Sequence, residues 1–292
     1  MPLRALLPLA TALPALALLL APAPSRALGS VTSAHINGFA DNDVEPVASA
    51  SSATTSGPNA AGTASASGDL ASGLLTAETE GTALGATGFL DATATAELTE
   101  VLFLIPDAGS PVTPVPFTLF MDVDGVLLLS GSGTMSPSLQ LAVAQAAGVL
   151  TISGLLVSNV SSAALTATRR VEASGGNVLG DLTTADLADN VTGDVGNGVV
   201  DVRLTATAMV TPNSAFQVRA YLAAVSGTAA SFSSTADLSQ TGRIGVVVPA
   251  GYTLSSNSGV FLSVPEPSAP APLALAVLAL LAARRRQGSA TE

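Results

Sequence analysis

Few residues of this chain could do acid–base, nucleophilic or metal chemistry. The 292-residue sequence contains no Cys and no Lys, and its only His is His35. A thiolate metal site, a cysteine nucleophile and a Schiff-base lysine are therefore excluded, and a Ser-His-Asp triad would have to use His35. His35 lies eight residues into the mature chain predicted below. Because new amino termini are usually mobile, we interpret it as a surface or strand residue and predict no catalytic residue.

The aspartates suggest another chemistry, because carboxylate oxygens are the ligands that calcium prefers. Counted from Asp122, the glycine of segment 122–125 falls at position 4, and counted from Asp194, Asp201 falls at position 8. Neither spacing is that of an EF-hand loop, so both segments predict β-turns. Calcium binding outside that pattern stays an open alternative, and its candidate ligands are Asp181, Asp186, Asp189 and Asp194. No other metal ligand or cofactor site is predicted.

Paired carboxylates could also support glycoside hydrolysis. However, the chain has no Trp, and only Tyr221 and Tyr252 could stack on sugar rings. Neither a G-x-S-x-G elbow nor an H-E-x-x-H helix is present. We therefore predict that the protein is not an enzyme.

The charge of the central part of the chain argues against nucleic-acid partners. Residues 28–264 contain 19 Asp and Glu against 5 Arg, a net charge of −14. Such a surface repels phosphate backbones and anionic lipid headgroups. Half of the ten basic residues lie instead in two terminal segments.

The first 27 residues have the organisation of a secretory signal peptide. Arg4 provides a positive start, and residues 6–21 form an apolar run that Pro8 and Pro14 interrupt. Ser25 and Ala27 form a small-x-small site, which predicts cleavage between Ala27 and Leu28. A membrane anchor and a cut after residue 23 are the alternatives.

A second signal lies at the carboxyl end. An apolar stretch, residues 269–283, follows a Pro-Glu-Pro tripeptide and precedes three arginines. Counted from the second proline, this stretch just reaches the shortest length that spans a bilayer, about 17 residues, and the arginines would stay cytoplasmic. An ordinary tail anchor is the alternative. The residues that form this pattern are Pro265, Glu266, Pro267, Arg284, Arg285 and Arg286.

Residues 264–286 resemble the PEP-CTERM sorting signal of exported proteins in Gram-negative bacteria that make extracellular polysaccharide. The resemblance implies recognition by an exosortase, a membrane-embedded transpeptidase-like enzyme, and processing near the tripeptide. Segments 236–242, 248–252 and 256–261 also resemble the closing strands of many such proteins. Their β-rich bodies generally lack an assigned activity.

Between the signals, the pattern predicts an all-β body, an antiparallel β-sandwich that is jelly-roll-like. Residues 28–88 are its Ala/Ser/Thr/Gly-rich first part, which a flexible segment would also explain. Residues 89–263 are the main part, and residues 287–292 are a polar tail. Residue 100 marks either a bulge or a stretch that is buried on both faces.

More detailed predictions follow from the local pattern. Residues 117–121 and 126–130 are expected to pair through a turn at residues 122–125. Residues 200–210 and 216–222 are expected to form a hairpin. Short helices are allowed over residues 139–147 and 182–189. A last strand is expected over residues 260–264.

The leading functional hypothesis is a non-enzymatic protein of the cell surface or extracellular matrix. Its partners would be the Sec export machinery, the exosortase and, before processing, the inner membrane, with extracellular polysaccharide as a further candidate. The alternatives are a calcium- or polysaccharide-binding jelly-roll module and a hydrolase with an unrecognised site.

Overall fold

The computed structural model describes residues 29–262, apart from 38, 46–47, 58–59, 84–88, 132–140, 155–160, 175–176, 188–190 and 230–231. These residues form fifteen strands, and no helix lies among them. The strands are β1 Gly29–Ile36, β2 Phe39–Glu45, β3 Ala48–Ser56, β4 Ala60–Asp69, β5 Leu74–Ala83, β6 Phe89–Pro106, β7 Val115–Gly131, β8 Leu141–Ser153, β9 Ser161–Ser174, β10 Asn177–Leu187, β11 Val191–Gly196, β12 Val199–Val210, β13 Phe216–Ala229, β14 Phe232–Val247 and β15 Tyr252–Ser256. The predicted all-β class is confirmed.

The strands form two sheets in which the described pairings are antiparallel. Sheet I has the order β10-β9-β8-β13-β6-β1-β2, and β15 pairs with β6 as well. Sheet II has the order β11-β12-β7-β14-β5-β4-β3. Strands that follow one another in the chain often face each other across the sheets, as β5 with β6 and β13 with β14 do.

One hydrophobic core joins the inner faces of the two sheets. It runs from small residues of the first strands, such as Ala34 and Ala64, to large ones such as Phe117 and Phe216. Residues before and after residue 88 therefore contribute to the same core.

The Ala/Ser/Thr/Gly-rich first part is ordered into strands. Two alternating segments correspond to β3 and β4, which pair along their whole length. Their inward positions are Ala, Ser or Gly, and two-residue alternation of such small residues still buries one face. The flexible-segment alternative is therefore wrong for the described residues.

β6 contains no bulge near residue 100, but residues 96–100 are buried on both faces. Its pairing with β13 runs without interruption from Phe216 opposite Leu102 to Ala229 opposite Phe89. Leu98, Glu100 and Leu102 all point inward and are buried, whereas Ile105 is exposed. Glu97 and Thr99, which point outward, are buried as well, and the burial alternation resumes at residues 101–104.

The turn predicted at residues 122–125 is wrong. β7 runs straight through these residues, with β12 on one edge and β14 on the other. Gly125 is needed for close approach rather than for a turn, since a Cβ there would lie 2.4 Å from the carbonyl oxygen of Asp237. The register of β14 shifts immediately after Asp237. The second predicted turn is present, with Asn197 (φ 53°) and Gly198 (φ 80°) between β11 and β12.

The hairpin predicted from residues 200–222 is also wrong. β12 belongs to sheet II and β13 to sheet I, so residues 211–215 cross between the sheets. The inward positions were predicted correctly, from Val200 to Val210 and from Phe216 to Leu222. A two-residue period identifies the buried face of each strand but not the strand with which it pairs.

Three smaller predictions are corrected as well. Residues 141–153 form β8 instead of a helix, since Ala142, Ala144 and Ala146 are buried at strand spacing. Residues 182–187 lie in β10, and residues 260–262 form a turn after β15 instead of a strand.

Candidate functional site

The structure places the predicted turn aspartates on the outer face of sheet II. Asp122 lies inside β7 and accepts two hydrogen bonds from Arg203 of β12, one of them from Nη2 at 2.6 Å. The guanidinium also lies 4.5 Å from the ring centre of Phe120, and the bond to Asp122 raises the pKa of Arg203. This arrangement stabilises an exposed strand pair and leaves Asp122 engaged with an arginine.

The four candidate calcium ligands do not form a described cluster. Asp181 and Asp186 belong to β10, an edge strand of sheet I, and Asp194 belongs to β11, the edge strand of sheet II that faces it. Asp189 and the side chains of Asp181 and Asp186 lie outside what the structure describes. Among the described side chains, no group of three or more His, Asp or Glu could hold a metal ion.

His35 lies on β1, opposite Ala40 on one side and Thr93 of β6 on the other. It is half-buried, as expected for a residue in a strand. This position agrees with the prediction that His35 is a surface or strand residue.

The predicted processing and sorting residues lie outside the described residues. These are Ala27, Leu28, Pro265, Glu266, Pro267, Arg284, Arg285 and Arg286. No helix of the described part is long and apolar enough to cross a membrane. The first and last described residues are Gly29 and Leu262.

The described chain begins beside one edge of β6 and reaches the same edge again at Asn257, five residues before its last described residue. Gly29, the first residue of β1, is opposite Thr99. Two residues further along β6, the backbone nitrogen of Asn257 donates to the oxygen of Val101 at 2.9 Å. We call this place, formed by Gly29, Thr99, Glu100, Val101 and Asn257, the terminal junction.

Further contacts fix the first and last described segments of the chain. The nitrogen of Leu262 donates to the oxygen of Leu70 at 3.1 Å, in the turn between β4 and β5. Gly29 has a φ of 136°, a conformation that favours glycine and turns the chain at the first residue of the strand. The hydroxyl of Tyr252 donates to the oxygen of Pro111 at 2.7 Å, which fixes β15 to the loop after β6.

A buried carboxylate lies in the terminal junction. Glu100 is completely buried, and its Oε1 accepts a hydrogen bond of 2.8 Å from the backbone nitrogen of Val101. Its Oε2 has no hydrogen-bond partner among the described residues. A buried carboxylate without a cation is costly, and such groups usually have a specific role.

Arg219, which lies near this carboxylate, is engaged on the other side of sheet I. Its Nη2 donates to Oε2 of Glu97 at 2.8 Å, and Oε1 of Glu97 accepts a bond from Thr99. The guanidinium also lies 5.7 Å from the ring centre of Tyr221. Glu97 and Glu100 are three residues apart on β6, so their side chains point to opposite faces of the sheet. Arg219 therefore pairs with Glu97 and not with Glu100.

Sequence reasoning missed Glu100 as a site residue. Its position in the two-residue alternation of β6 could have identified Glu100, because Leu98, Glu100 and Leu102 are successive inward positions. A charged residue at an inward position of a strand is unusual enough to require an explanation.

Comparisons with known proteins give no family for this chain. No protein-family model, no curated protein and no solved structure matches it.

Proposed function

We propose that this chain is an exported, non-enzymatic protein of the cell surface or extracellular matrix, sorted through a PEP-CTERM signal. The observation that carries the proposal is the terminal junction. The described body begins beside one edge of β6 and returns to that edge at Asn257, shortly before its last described residue, Leu262, and the two segments with the sequence of membrane-targeting signals precede and follow it in the chain. A precursor held in the inner membrane by both segments needs both body ends on its membrane side.

The body fits a role outside the cell that requires no chemistry. Its sheets share one core without disulfides, since the sequence has no Cys. The finer fold that we propose is a jelly-roll-like β-sandwich, supported by antiparallel strands that alternate between two facing sheets. The net charge of −14 over residues 28–264 would keep the protein soluble and favour a hydrated, ion-containing matrix over nucleic acid.

The sorting proposal is tested by fractionation of an exporting Gram-negative host that has an exosortase. The variant replaces the tripeptide with alanines (P265A, E266A, P267A). We expect the wild-type protein at the cell surface or in the medium, and the variant retained in the inner membrane. The matched control is Pro114→Ala, an exposed proline in the loop between β6 and β7, which should leave sorting unchanged. Equal distribution of wild type and variant would refute the proposal.

Calcium binding is a separate hypothesis, in which the facing edge strands β10 and β11 would supply the aspartates. It is tested by melting the exported protein with and without a chelator. A melting temperature that falls on chelation would favour the binding module, and an unchanged temperature favours the matrix protein.

A further inference from the structure

We propose that one end of the two-sheet body binds the same end of a second copy of this chain, so that two bodies associate end to end. Among the described residues, this end is formed by the segments that lead from β6 to β7, from β12 to β13 and from β14 to β15. We call it the uncharged end, and we define it by five exposed residues, which are Ile105, Val112, Pro116, Met209 and Val247.

The registers of the strands place these five residues at the same end of the body. Met209 of β12 is opposite Pro116 of β7. Val247 is the last residue of β14, which pairs with β7 along its other edge. Ile105 lies one residue before the end of β6, and Val112 lies in the loop that connects β6 to β7. The patch therefore includes residues from both sheets and from the loop between them.

This end differs in charge from the rest of an acidic body. Residues 28–264 contain 19 Asp and Glu and 5 Arg. The three segments that lead into and out of the turns at this end are residues 101–121, 204–218 and 244–262, and Asp107 is the one charged residue in them. The net negative charge of the body is therefore carried by its other parts.

Large apolar side chains of the described residues are exposed at this end. Val112 is 63% exposed, Val247 56%, Ile105 45% and Met209 37%. Single exposed apolar side chains are normal, whereas several that share one uncharged end form a patch. Such a patch is unfavourable in water and marks a surface that another molecule covers.

The loop between β6 and β7 is held in place before any contact forms. The hydroxyl of Tyr252 donates to the oxygen of Pro111 at 2.7 Å, and the backbone nitrogen of Asp107 donates to the oxygen of Gly251 at 2.9 Å. Prolines on both sides of Val112 restrict the backbone further. A loop that is already ordered loses little conformational entropy when it binds.

The charge distribution selects a second copy of the chain as the occupant. A cationic partner would be attracted instead to the outer face of sheet II, where Asp194, Asp201 and Asp124 lie opposite one another on neighbouring strands. A second copy is repelled by the acidic parts of the body, so two copies can approach closely only where both are uncharged. Two identical ends then form an isologous contact, which closes after two copies.

The association is tested by analytical ultracentrifugation of the protein purified from its exporting host, over a wide range of protein concentration. We expect a reversible equilibrium between monomer and dimer. High salt should shift it towards the dimer, because salt screens the repulsion between the acidic bodies. A protein that stays monomeric at every concentration, in low and in high salt, would overturn the proposal. Species that keep growing beyond the dimer would also overturn it, since an isologous contact closes.

A matched pair of variants locates the contact. Val112→Asp should raise the dissociation constant of the dimer about tenfold or more, because the new carboxylate would be buried against apolar surface. Val199→Asp is the control, since Val199 is 52% exposed but lies at the first residue of β12, far along that strand from Met209. It adds the same charge and should dimerise like the wild type. Equal dimerisation of the two variants would contradict the end-to-end contact.

A second variant keeps the test decisive if Val112→Asp does not fold, which circular dichroism would show. Val247→Asp changes the same end from β14 and should weaken the dimer as well. A dimer that is insensitive to this variant would count against the proposal. Wild-type protein that stays monomeric and sediments with neutral phosphatidylcholine vesicles would assign the uncharged end to a lipid surface and overturn self-association.

Self-association and sorting can fail separately. A chain that is exported and processed at both ends but stays monomeric overturns the end-to-end contact alone. A chain that keeps both terminal segments contradicts the proposed sorting, and self-association then stands only if Val112→Asp weakens it and Val199→Asp does not.

Discussion

The two halves of the core are built in different ways. Around β1, β3 and β5 the inner faces carry Ala, Ser and Thr, and hydroxyl pairs join the two sheets directly, such as Ser30 with Ser49 at 2.7 Å and Thr79 with Ser226 at 2.7 Å. Around β7, the last part of β6 and the first part of β13, the core is filled by large side chains, and Phe117 meets Phe216 edge to face at 4.9 Å. The first half holds its sheets together by close approach and hydrogen bonds, the second by buried apolar volume.

This difference teaches that a low aromatic content does not prevent a packed core. Small side chains allow the two sheets to approach, and glycines such as Gly68 and Gly81 allow direct contact with Ser30 and Leu90. The two halves should therefore respond in opposite ways to changes of side-chain size.

Truncation in the large-residue half should have the largest effect. Phe117 is fully buried, and Phe117→Ala leaves a cavity against Phe216. We expect a loss of about 3–5 kcal/mol in the free energy of unfolding, measured by urea titration. Val112→Ala in the exposed loop is the control and should change stability by less than about 0.5 kcal/mol. A loss below about 1 kcal/mol for Phe117→Ala would show that large buried side chains do not stabilise this half of the core.

Enlargement in the small-residue half should come next. A Cβ on Gly68 would lie 2.4 Å from the hydroxyl oxygen of Ser30, which bonds to the carbonyl oxygen of Gly68. Gly68→Ala should therefore cost about 1–3 kcal/mol. Gly57→Ala is the matched control, because the nearest atom to its Cβ would be 3.7 Å away. Equal stabilities for the two variants would contradict the close approach of the sheets.

Substitutions of the two residues in a cross-sheet hydroxyl pair should have non-additive effects on the free energy of unfolding. Ser226→Ala leaves the buried hydroxyl of Thr79 without its partner, which should cost about 1–3 kcal/mol. The double variant with Thr79→Val removes both polar groups and should cost no more than Ser226→Ala alone. The cycle is measured by urea titration, and simple addition of the two single losses would refute a coupled pair.

The smallest effect should come from an outer-face pair of like charges. Glu78 lies opposite Asp237, and partial burial, together with Asp237, raises the pKa of Glu78. A raised pKa means that the folded state holds the proton more tightly, so stability falls as the pH rises from the ordinary value of 4.5 through the raised one. Glu78→Gln should gain a few tenths of a kcal/mol at pH 7 and nothing at pH 3. The same gain at both pH values would show that the ionised carboxylate of Glu78 is not the cause of the gain.

The sequence predicted the strand segments and their inward faces better than their pairing. The series from Val200 to Val210 is buried at every second residue, as predicted, yet β12 pairs with β7 instead of β13. Alternation is a property of one strand, whereas pairing depends on how the crossing at residues 211–215 turns between the sheets.

Two errors came from reading local chemistry without its tertiary setting. An Asp-Gly sequence suggests a turn, but Gly125 is placed where Asp237 of the neighbouring strand comes too close for a side chain. Glu100 suggested a break in β6, although it continues the inward series. In both cases the environment of the residue is formed by strands that are distant in sequence, so a local pattern could not show it.

The predicted sorting residues come from the sequence alone, and they lie outside the described residues. The structure adds the position of their neighbours, which no local pattern predicts. Gly29 and Asn257 are far apart in the chain and yet contact β6 two residues apart, because β15 lies along the same edge of β6 on which β1 begins.

The most direct test of two-ended processing is the intact mass of the protein recovered from the envelope and medium of its exporting host. We predict a chain that begins at Leu28 and ends near Pro265, Glu266 and Pro267. A chain that still ends at Glu292 would mean a conventional tail anchor and would contradict the proposed sorting.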